Sequence, residues 1–174
     1  MDADKAIAKA FAEVLTGGGD NPLRFRMIDD KKTRALPAKE FTDTIDQAWP
    51  MITGLQAEGY ACFYFLNEVG ADAGQYARDA DVTRVRAIPA DFDQGLPRTW
   101  HTLPDLLVHT SPNKGQALWL GNLPTPENFK SACRRIIARY GSDPAVCNLS
   151  RILRLPGSLH LKGEPHLVTY ERLG

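Results

Sequence analysis

The chain has 174 residues, 43% of them hydrophobic, with 21 basic and 21 acidic side chains. A chain of this length buries roughly 70% of its unfolded surface in one domain, so neither a disulfide framework nor a structural metal is needed, and the even charge balance neither demands nor forbids a nucleic-acid partner. Three cysteines without a CxxC pair, no apolar stretch of membrane length and no signal peptide exclude a secreted disulfide scaffold and a membrane-spanning protein; they read as reduced thiols in a cytoplasmic protein with no membrane partner.

Residues 2–16 place Ile7, Phe11, Val14 and Leu15 on one helical stripe, stopped by the glycines at 17–19. Residues 25–29 read as a short strand. Ile45, Trp49, Ile52 and Leu55 recur at helical spacing over residues 43–58, before Gly59. The aromatic run at 60–67 has the length and composition of a buried strand. Residues 71–81, small and polar, read as a loop or a short irregular helix. Residues 82–93 read as a strand in which Pro89 requires an edge or a bulge. Strands at 106–111 and 116–120 follow, joined through Pro112, Asn113, Lys114 and Gly115, all good hairpin-turn residues. Residues 125–140 form a helix, with Thr125 as cap, Pro126 in the first position and Gly141 after the end. Strands at 151–155 and 166–170 close the chain. Strands outnumber helices, and hairpins mix with helical crossovers, which favours an α+β fold over a doubly wound parallel sheet. The expected organisation is a single domain, residues 1–174, with residues 1–58 as a helical N-terminal part packed on it.

The charge is unevenly placed. From Lys130 onward eight basic residues face three acidic ones, so the preceding part is net acidic. Such asymmetry suits a molecule with a metal-collecting pole and a phosphate-collecting pole, although a solvated basic helix face gives the same count.

Three segments carry candidate chemistry. On a strand, Asp91 and Asp93 point to one face while Phe92 points to the other. Two carboxylates that close repel each other unless a cation joins them, and hard oxygen ligands suit Mg²⁺ or Mn²⁺. The second segment, residues 110–116, offers hydroxyl, amide and backbone donors with a lysine at the tip, a combination able to hold a triphosphate; a plain hairpin with a polar tip is the bland alternative. The third, residues 148–162, places Arg151, Arg154, His160 and Lys162 on a strand and its exit loop, and guanidinium groups grip phosphate bidentately. Surface salt bridges are its ordinary explanation.

Together, in this order, the acidic pair, the serine-containing hairpin and the RLPGSLHLK stretch at 154–162 resemble the archaeo-eukaryotic primase superfamily, and within it the RepB-like plasmid and phage primase–polymerase branch. The likeness runs over residues 60–168. It implies an RRM-like primase catalytic core, with a mixed or antiparallel central sheet flanked by helices. It also implies template-directed nucleotidyl transfer, with Mg²⁺ or Mn²⁺ as cofactor, nucleoside triphosphates and a single-stranded DNA template as ligands, and a replicative helicase in cis or in trans as a partner. Carried over, the metal-binding acids are Asp91 and Asp93. Ser111, Lys114 and Gln116 face the nucleotide's phosphates; many superfamily members have histidine at the position of Gln116. Arg151 and Arg154, with His160 and Lys162, contact nucleotide or template. Asn67 resembles a recurrent polar position beside the family's site. The sequence departs from the family pattern at the third acid, where Asn148 stands; Asp143 is the nearby carboxylate that could replace it.

His109 shares a strand face with Ser111 on simple alternation, and His101, His109 and His166 have no mutual metal-ligand spacing. The competing functions are a catalytically weakened single-stranded nucleic-acid-binding module on the same fold, a DNA-nicking initiator, which would need a His-x-His pair and a nucleophilic tyrosine, and a small-molecule nucleotidyltransferase.

Overall fold

In a computed structural model, residues 1–31, 36–123 and 125–174 are described, without the side chains of 122 and 123. In chain order the elements are α1 (Lys5–Thr16), β1 (Leu23–Asp29), β2 (Lys39–Asp43), α2 (Ile45–Ala57), β3 (Tyr60–Phe65), β4 (Glu68–Val69), β5 (Val82–Phe92), β6 (Leu106–Ser111), β7 (Lys114–Leu123), α3 (Pro126–Tyr140), β8 (Ile152–Arg154), β9 (Leu159–His160), β10 (His166–Leu167) and β11 (Thr169–Arg172), with short 3₁₀ turns at Asp79–Asp81 and Pro144–Val146. The α+β class holds. In place of one central sheet there are two larger sheets, and the chain divides into two compact units. The first contains residues 1–65 and 152–169, the second residues 66–151 and 170–174.

In the first unit the sheet order is β2-β1-β3-β8, every pairing antiparallel. Local chemistry sets the helix ends. The Asp4 carboxylate accepts from the Ala6 and Ile7 amides at the start of α1, and Gly17 ends it at φ 85°, a left-handed position that glycine enters without a Cβ penalty. The Thr44 hydroxyl accepts from the Gln47 amide to start α2. The stripe expected on α1 is buried through Phe11 and Leu15, joined by Ala8 and Ala12. On the sheet, Leu23, Phe25 and Met27 alternate inward. The residues before Gly59 therefore supply two strands besides their two helices. β2, unmarked in the sequence pattern, pairs Phe41 with Phe25, their rings 5.4 Å apart.

The loop at 156–158 is a packing knot of this unit. Gly157 lies at φ 85°, and a Cβ there would stand 2.3 Å from the Asp4 carbonyl oxygen and 2.7 Å from the Ala8 nitrogen. Its carbonyl accepts from the Asp4 amide and its own amide donates to the Val168 carbonyl, each at 2.7 Å. The buried Ser158 hydroxyl donates to the Leu155 carbonyl at 2.6 Å.

The second unit has a five-stranded sheet in the order β11-β6-β7-β5-β4. β4 pairs with β5 only at Val82 and Arg84, so Pro89 falls where β5 is paired on one side, by β7, and its missing amide costs the ladder little. The β6–β7 turn is tighter than expected. Pro112 and Asn113 alone form the loop, Asn113 takes the positive φ of 64°, and Lys114 and Gly115 already belong to β7. Gly115 is required, since a Cβ there would lie 2.6 Å from the Val108 carbonyl oxygen. Ala90, Phe92, Leu107 and Ala117 form a buried layer against Ile136 and Tyr140 of α3, while Ile88 and Val85 meet Phe129 and Cys133. As expected, Thr125 caps α3 by accepting from the Asn128 amide, and Gly141 ends it at φ 68°.

The three thiols are free. Cys62 is fully buried, whereas Cys133 and Cys147, separated in sequence, are neighbours in the core beneath α3. Burial and the adjacent Cys147 push the Cys133 thiol up to about 12.

Candidate active site

In the second unit, alternation along β5 sends Phe92 into the layer beneath α3 and turns Asp91 to the opposite sheet face. Directly across the ladder stands Gln116, whose Nε2 donates to the Asp91 Oδ2 at 3.4 Å. Gln116 is buried, and among the described residues its Oε1 has no hydrogen-bond partner. Asp93 lies one residue past the strand and is exposed. The Lys114 Nζ is 3.8 Å from its Oδ1, a loose pair between exposed groups.

Burial, foremost, and then the charge of Asp93 hold the Asp91 carboxyl above the ordinary carboxylate range; Asp143 pushes in the same direction, while the Gln116 hydrogen bond and Arg151 act in the other. Three acids and one arginine therefore act on one electrostatic centre. The Asp143 amide donates to the Asp91 carbonyl at 2.9 Å, and its side chain accepts from the Ala145 amide at 2.9 Å, so Asp143 anchors its turn to the end of β5. Asn148 donates through Nδ2 to the Ser150 hydroxyl at 3.3 Å, and its buried Oδ1 has no hydrogen-bond partner among the described residues.

Arg151 precedes β8 instead of starting it. Its guanidinium donates to the Ala145 carbonyl, and its buried Nε has no partner among the described residues. The segment carrying it is tied down by Asp79, which accepts from both the Ser150 amide, at 2.9 Å, and the Ser150 hydroxyl, at 2.7 Å. Burial raises Asp79, but these bonds outweigh it and hold the carboxyl below its ordinary range. Nothing in the polar run at 71–81 distinguishes Asp79 in the sequence.

Other expected site residues have structural partners. Asn67 is buried just past β3; its Nδ2 donates to the Leu149 carbonyl at 2.8 Å and its Oδ1 accepts from the Arg86 amide at 3.0 Å, a crosslink between β5 and the Asn148–Arg151 segment. Ser111 faces Lys114 across the hairpin, but the register slips between His109 and Ser111, which breaks the shared face that alternation suggests. His109 bonds to the Glu171 carboxylate at 2.9 Å instead.

Arg154, His160 and Lys162 lie in the first unit. The Arg154 guanidinium forks onto Asp30, at 2.8 and 3.2 Å, and lies 4.9 Å from the Phe63 ring centroid. Asp30 also accepts from the Leu161 amide at 2.8 Å. Burial raises the Asp30 carboxyl, but the Arg154 hydrogen bonds and charge prevail, with Leu161 and His160 adding, and hold it below the ordinary range. Sequence reasoning missed Asp30 because its partner is 124 positions away. His160 pairs with His166 in the β9–β10 ladder, and Lys162 is exposed.

Among the described residues, no three His, Cys, Asp or Glu side chains are grouped to hold an ion. The fit to a hard divalent cation rests instead on two carboxylates whose repulsion a cation would relieve, beside the unpartnered amide oxygen of Gln116. Mg²⁺ is commonly held by one or two carboxylates, with waters and substrate phosphates completing its shell.

Residues 92–172 match the family model of the RepB DNA-primase N-terminal domain. No curated protein matches the sequence. Among solved structures, the AEP domain of the cyanophage S-2L primase–polymerase (PrimPol) superposes with a TM-score of 0.74 and 21% identity, over 100% of this chain and 92% of that one. Primase RepB′ superposes with a TM-score of 0.67 and 17% identity, over 95% of this chain and 56% of that one. The catalytic domain of primase RepB′ in complex with initiator DNA gives 0.67 and 16%, over 95% and 84%. At these identities the structures establish the fold.

Proposed function

This chain carries RepB DNA-primase family sequence over residues 92–172 on the fold of an archaeo-eukaryotic primase domain, and from that premise we propose that it is the catalytic domain of a DNA primase or primase–polymerase. It joins nucleotides from nucleoside triphosphates on a single-stranded DNA template, in plasmid- or phage-type replication, with a replicative helicase in cis or in trans as the expected partner. The observation that carries the reading is Asp91, a half-buried carboxylate held above its ordinary range beside Asp93 and Asp143. A carboxylate raised by burial and by neighbouring acids is the kind of group found at functional sites, and a bound cation would relieve it.

Asp91 and Asp93 would hold Mg²⁺ or Mn²⁺, which when bound supplies Lewis-acid stabilisation of phosphate charge. Gln116 fixes the Asp91 carboxylate by its hydrogen bond and presents an oxygen beside it. Lys114 and Ser111, at the hairpin, supply a charge and a hydroxyl for the triphosphate. Of the cations at 148–162, Arg151 belongs to the same unit as the acids, and its charge counters theirs at Asp91. Asp143 anchors the turn and adds to the field, and Asn148 offers an amide oxygen where the family expects an acid. Arg154, braced by Asp30 on Phe63, is with His160 and Lys162 a nucleotide or template contact of the other unit. Asn67, with both amide groups engaged, positions the Asn148–Arg151 segment.

The test is primer synthesis with Mn²⁺ on a single-stranded template. Asp91→Asn and Asp93→Asn should each lower it by about 100-fold or more, and undiminished product would overturn the reading. A second reading, a single-stranded DNA-binding module weakened in catalysis, is favoured by Asn148 at the position of the third acid. It predicts salt-dependent DNA affinity with no Mn²⁺-dependent nucleotide affinity.

A further inference from the structure

The face of β5 and β7 turned away from Asp91 carries α3, and beside the end of that helix the loop at 98–102 is firmly braced. The His101 and Thr102 amides both donate to the Tyr140 hydroxyl at 2.9 Å, and the Trp119 indole donates to the Thr102 carbonyl at 3.3 Å. The Trp100 ring sits 5.8 Å from Phe92, 6.0 Å from Trp119 and 5.4 Å from Tyr140. Against this brace opens a cavity of about 300 Å³, lined by Thr99, Trp100, His101, Arg139 and Tyr140, with no acidic residue in its wall. The Arg139 Nη2 lies 2.7 Å from the His101 Nδ1. A guanidinium only donates, so the imidazole accepts, and the contact orients Arg139 without neutralising it.

The surroundings extend this charge. α3 carries Lys130, Arg134, Arg135 and Arg139 against Glu127 alone. Among the described residues, none of the four cations has a carboxylate at ion-pair distance. Arg135 lies one turn before Arg139 on the same side of the helix, about 6 Å away between β-carbons, a spacing that successive phosphates of one strand can bridge. A solvated basic face is the ordinary fate of such a helix. What separates this one is a guanidinium held in place at the rim of a walled, acid-free cavity.

We propose that this cavity, with the Arg135–Arg139 side of α3, binds the phosphate backbone of a single DNA strand, a contact apart from Asp91 on the opposite face of the sheet. The inference rests on the reading that the chain works on DNA. Its chemistry is that of two forked donors on one side of the helix, with the Thr99 hydroxyl in the cavity wall, toward phosphate oxygens, and a braced loop that loses little freedom on binding.

The test is fluorescence anisotropy of a labelled oligothymidylate with the full chain, in EDTA and without nucleotide, over a series of salt concentrations. Replacing both arginines (Arg135→Gln with Arg139→Gln) should weaken binding about tenfold and flatten the plot of log affinity against log salt by about 1.4, since each lost single-strand phosphate contact accounts for about 0.7. Arg139→Lys should keep the slope. Lys130→Gln with Arg134→Gln, on the far side of the helix, should change it less. Wild-type affinity and slope in the Arg135/Arg139 variant would overturn the proposal, and so would an equal loss in the Lys130/Arg134 variant. Catalysis does not enter this readout. A chain that makes no primer yet shows these slopes loses the proposed function alone, and one that makes primer without them loses this inference alone.

Discussion

The two compact units use charge in opposite ways. In the first, charged groups are matched. Asp30 takes both forks of Arg154 and the Leu161 amide, and the fully buried Glu40 carboxylate is gripped by Arg24 and Arg26. In the second, Asp91 is raised by burial and by Asp93 and Asp143; among the described residues, Gln116 and Asn148 keep buried oxygens without hydrogen-bond partners, and the cations of α3 have no carboxylate at ion-pair distance. The contrast teaches that a run of cations in a sequence is a poor guide to where chemistry lies. Arg154, the most conspicuous of them, is braced by Asp30 and Phe63, and the perturbed Asp91 carboxylate marks a candidate site.

The largest effect should come from breaking a matched pair. Arg154→Met leaves Asp30 buried and uncompensated, a loss of about 3–5 kcal/mol for a broken buried ion pair, and thermal denaturation should fall by roughly 10 °C or more. A change within 2 °C, by the approximate scale of about 2–4 °C per kcal/mol, would mean the pair is not structural. Next is Gly157→Ala, which combines a left-handed φ with a Cβ 2.3 Å from the Asp4 carbonyl; about 2–4 kcal/mol should be lost, measurable by circular dichroism melting. Wild-type stability there would show that the loop at 156–158 yields easily.

The frustrated unit should respond with the opposite sign. Asp91→Asn removes a penalised charge, so it should raise stability near neutral pH while primer synthesis falls. Linkage fixes the pH dependence. Asp91, raised in the fold, subtracts stability when ionised, and that penalty disappears as pH falls through its folded value. Asp30, lowered in the fold, contributes stability that is full above the ordinary aspartate range and is lost as pH falls through its own folded value. The stability advantage of Asp91→Asn over wild type should therefore shrink between pH 7 and about 4. A gap constant with pH would show that Asp91 is not strained. The smallest effect should be Lys114→Ala, whose exposed pair with Asp93 is worth less than about 1 kcal/mol; melting should barely move.

The parts of the fold legible in the sequence are those coded locally. α3 declares itself through Thr125, Pro126 and Gly141, and β5 through an apolar run with a proline where pairing is one-sided. β2 is half-exposed and lacks an alternating apolar pattern, and β4 is two residues long, so neither rises above a loop signal. The division into two sheets depends on pairings between distant strands, such as β3 with β8, which periodicity does not encode. The site follows the same rule. Asp93 lies just past the end of β5, whereas the pairing of Asp91 with Gln116 was legible because strand alternation and a hairpin place them. Asp30 and Asp79 were not, since each acts through a partner far along the chain, and a bulge invisible to alternation separates His109 from Ser111.

The proposed function requires that Asp91 and Asp93 together hold a cation. Titration of Mn²⁺ into the intact protein near pH 7, followed by the loss of the free-ion electron paramagnetic resonance signal, reads this without any reaction. The account predicts at least about tenfold weaker binding in the Asp91→Asn, Asp93→Asn double variant than in wild type. Equal affinity in the two proteins would contradict it.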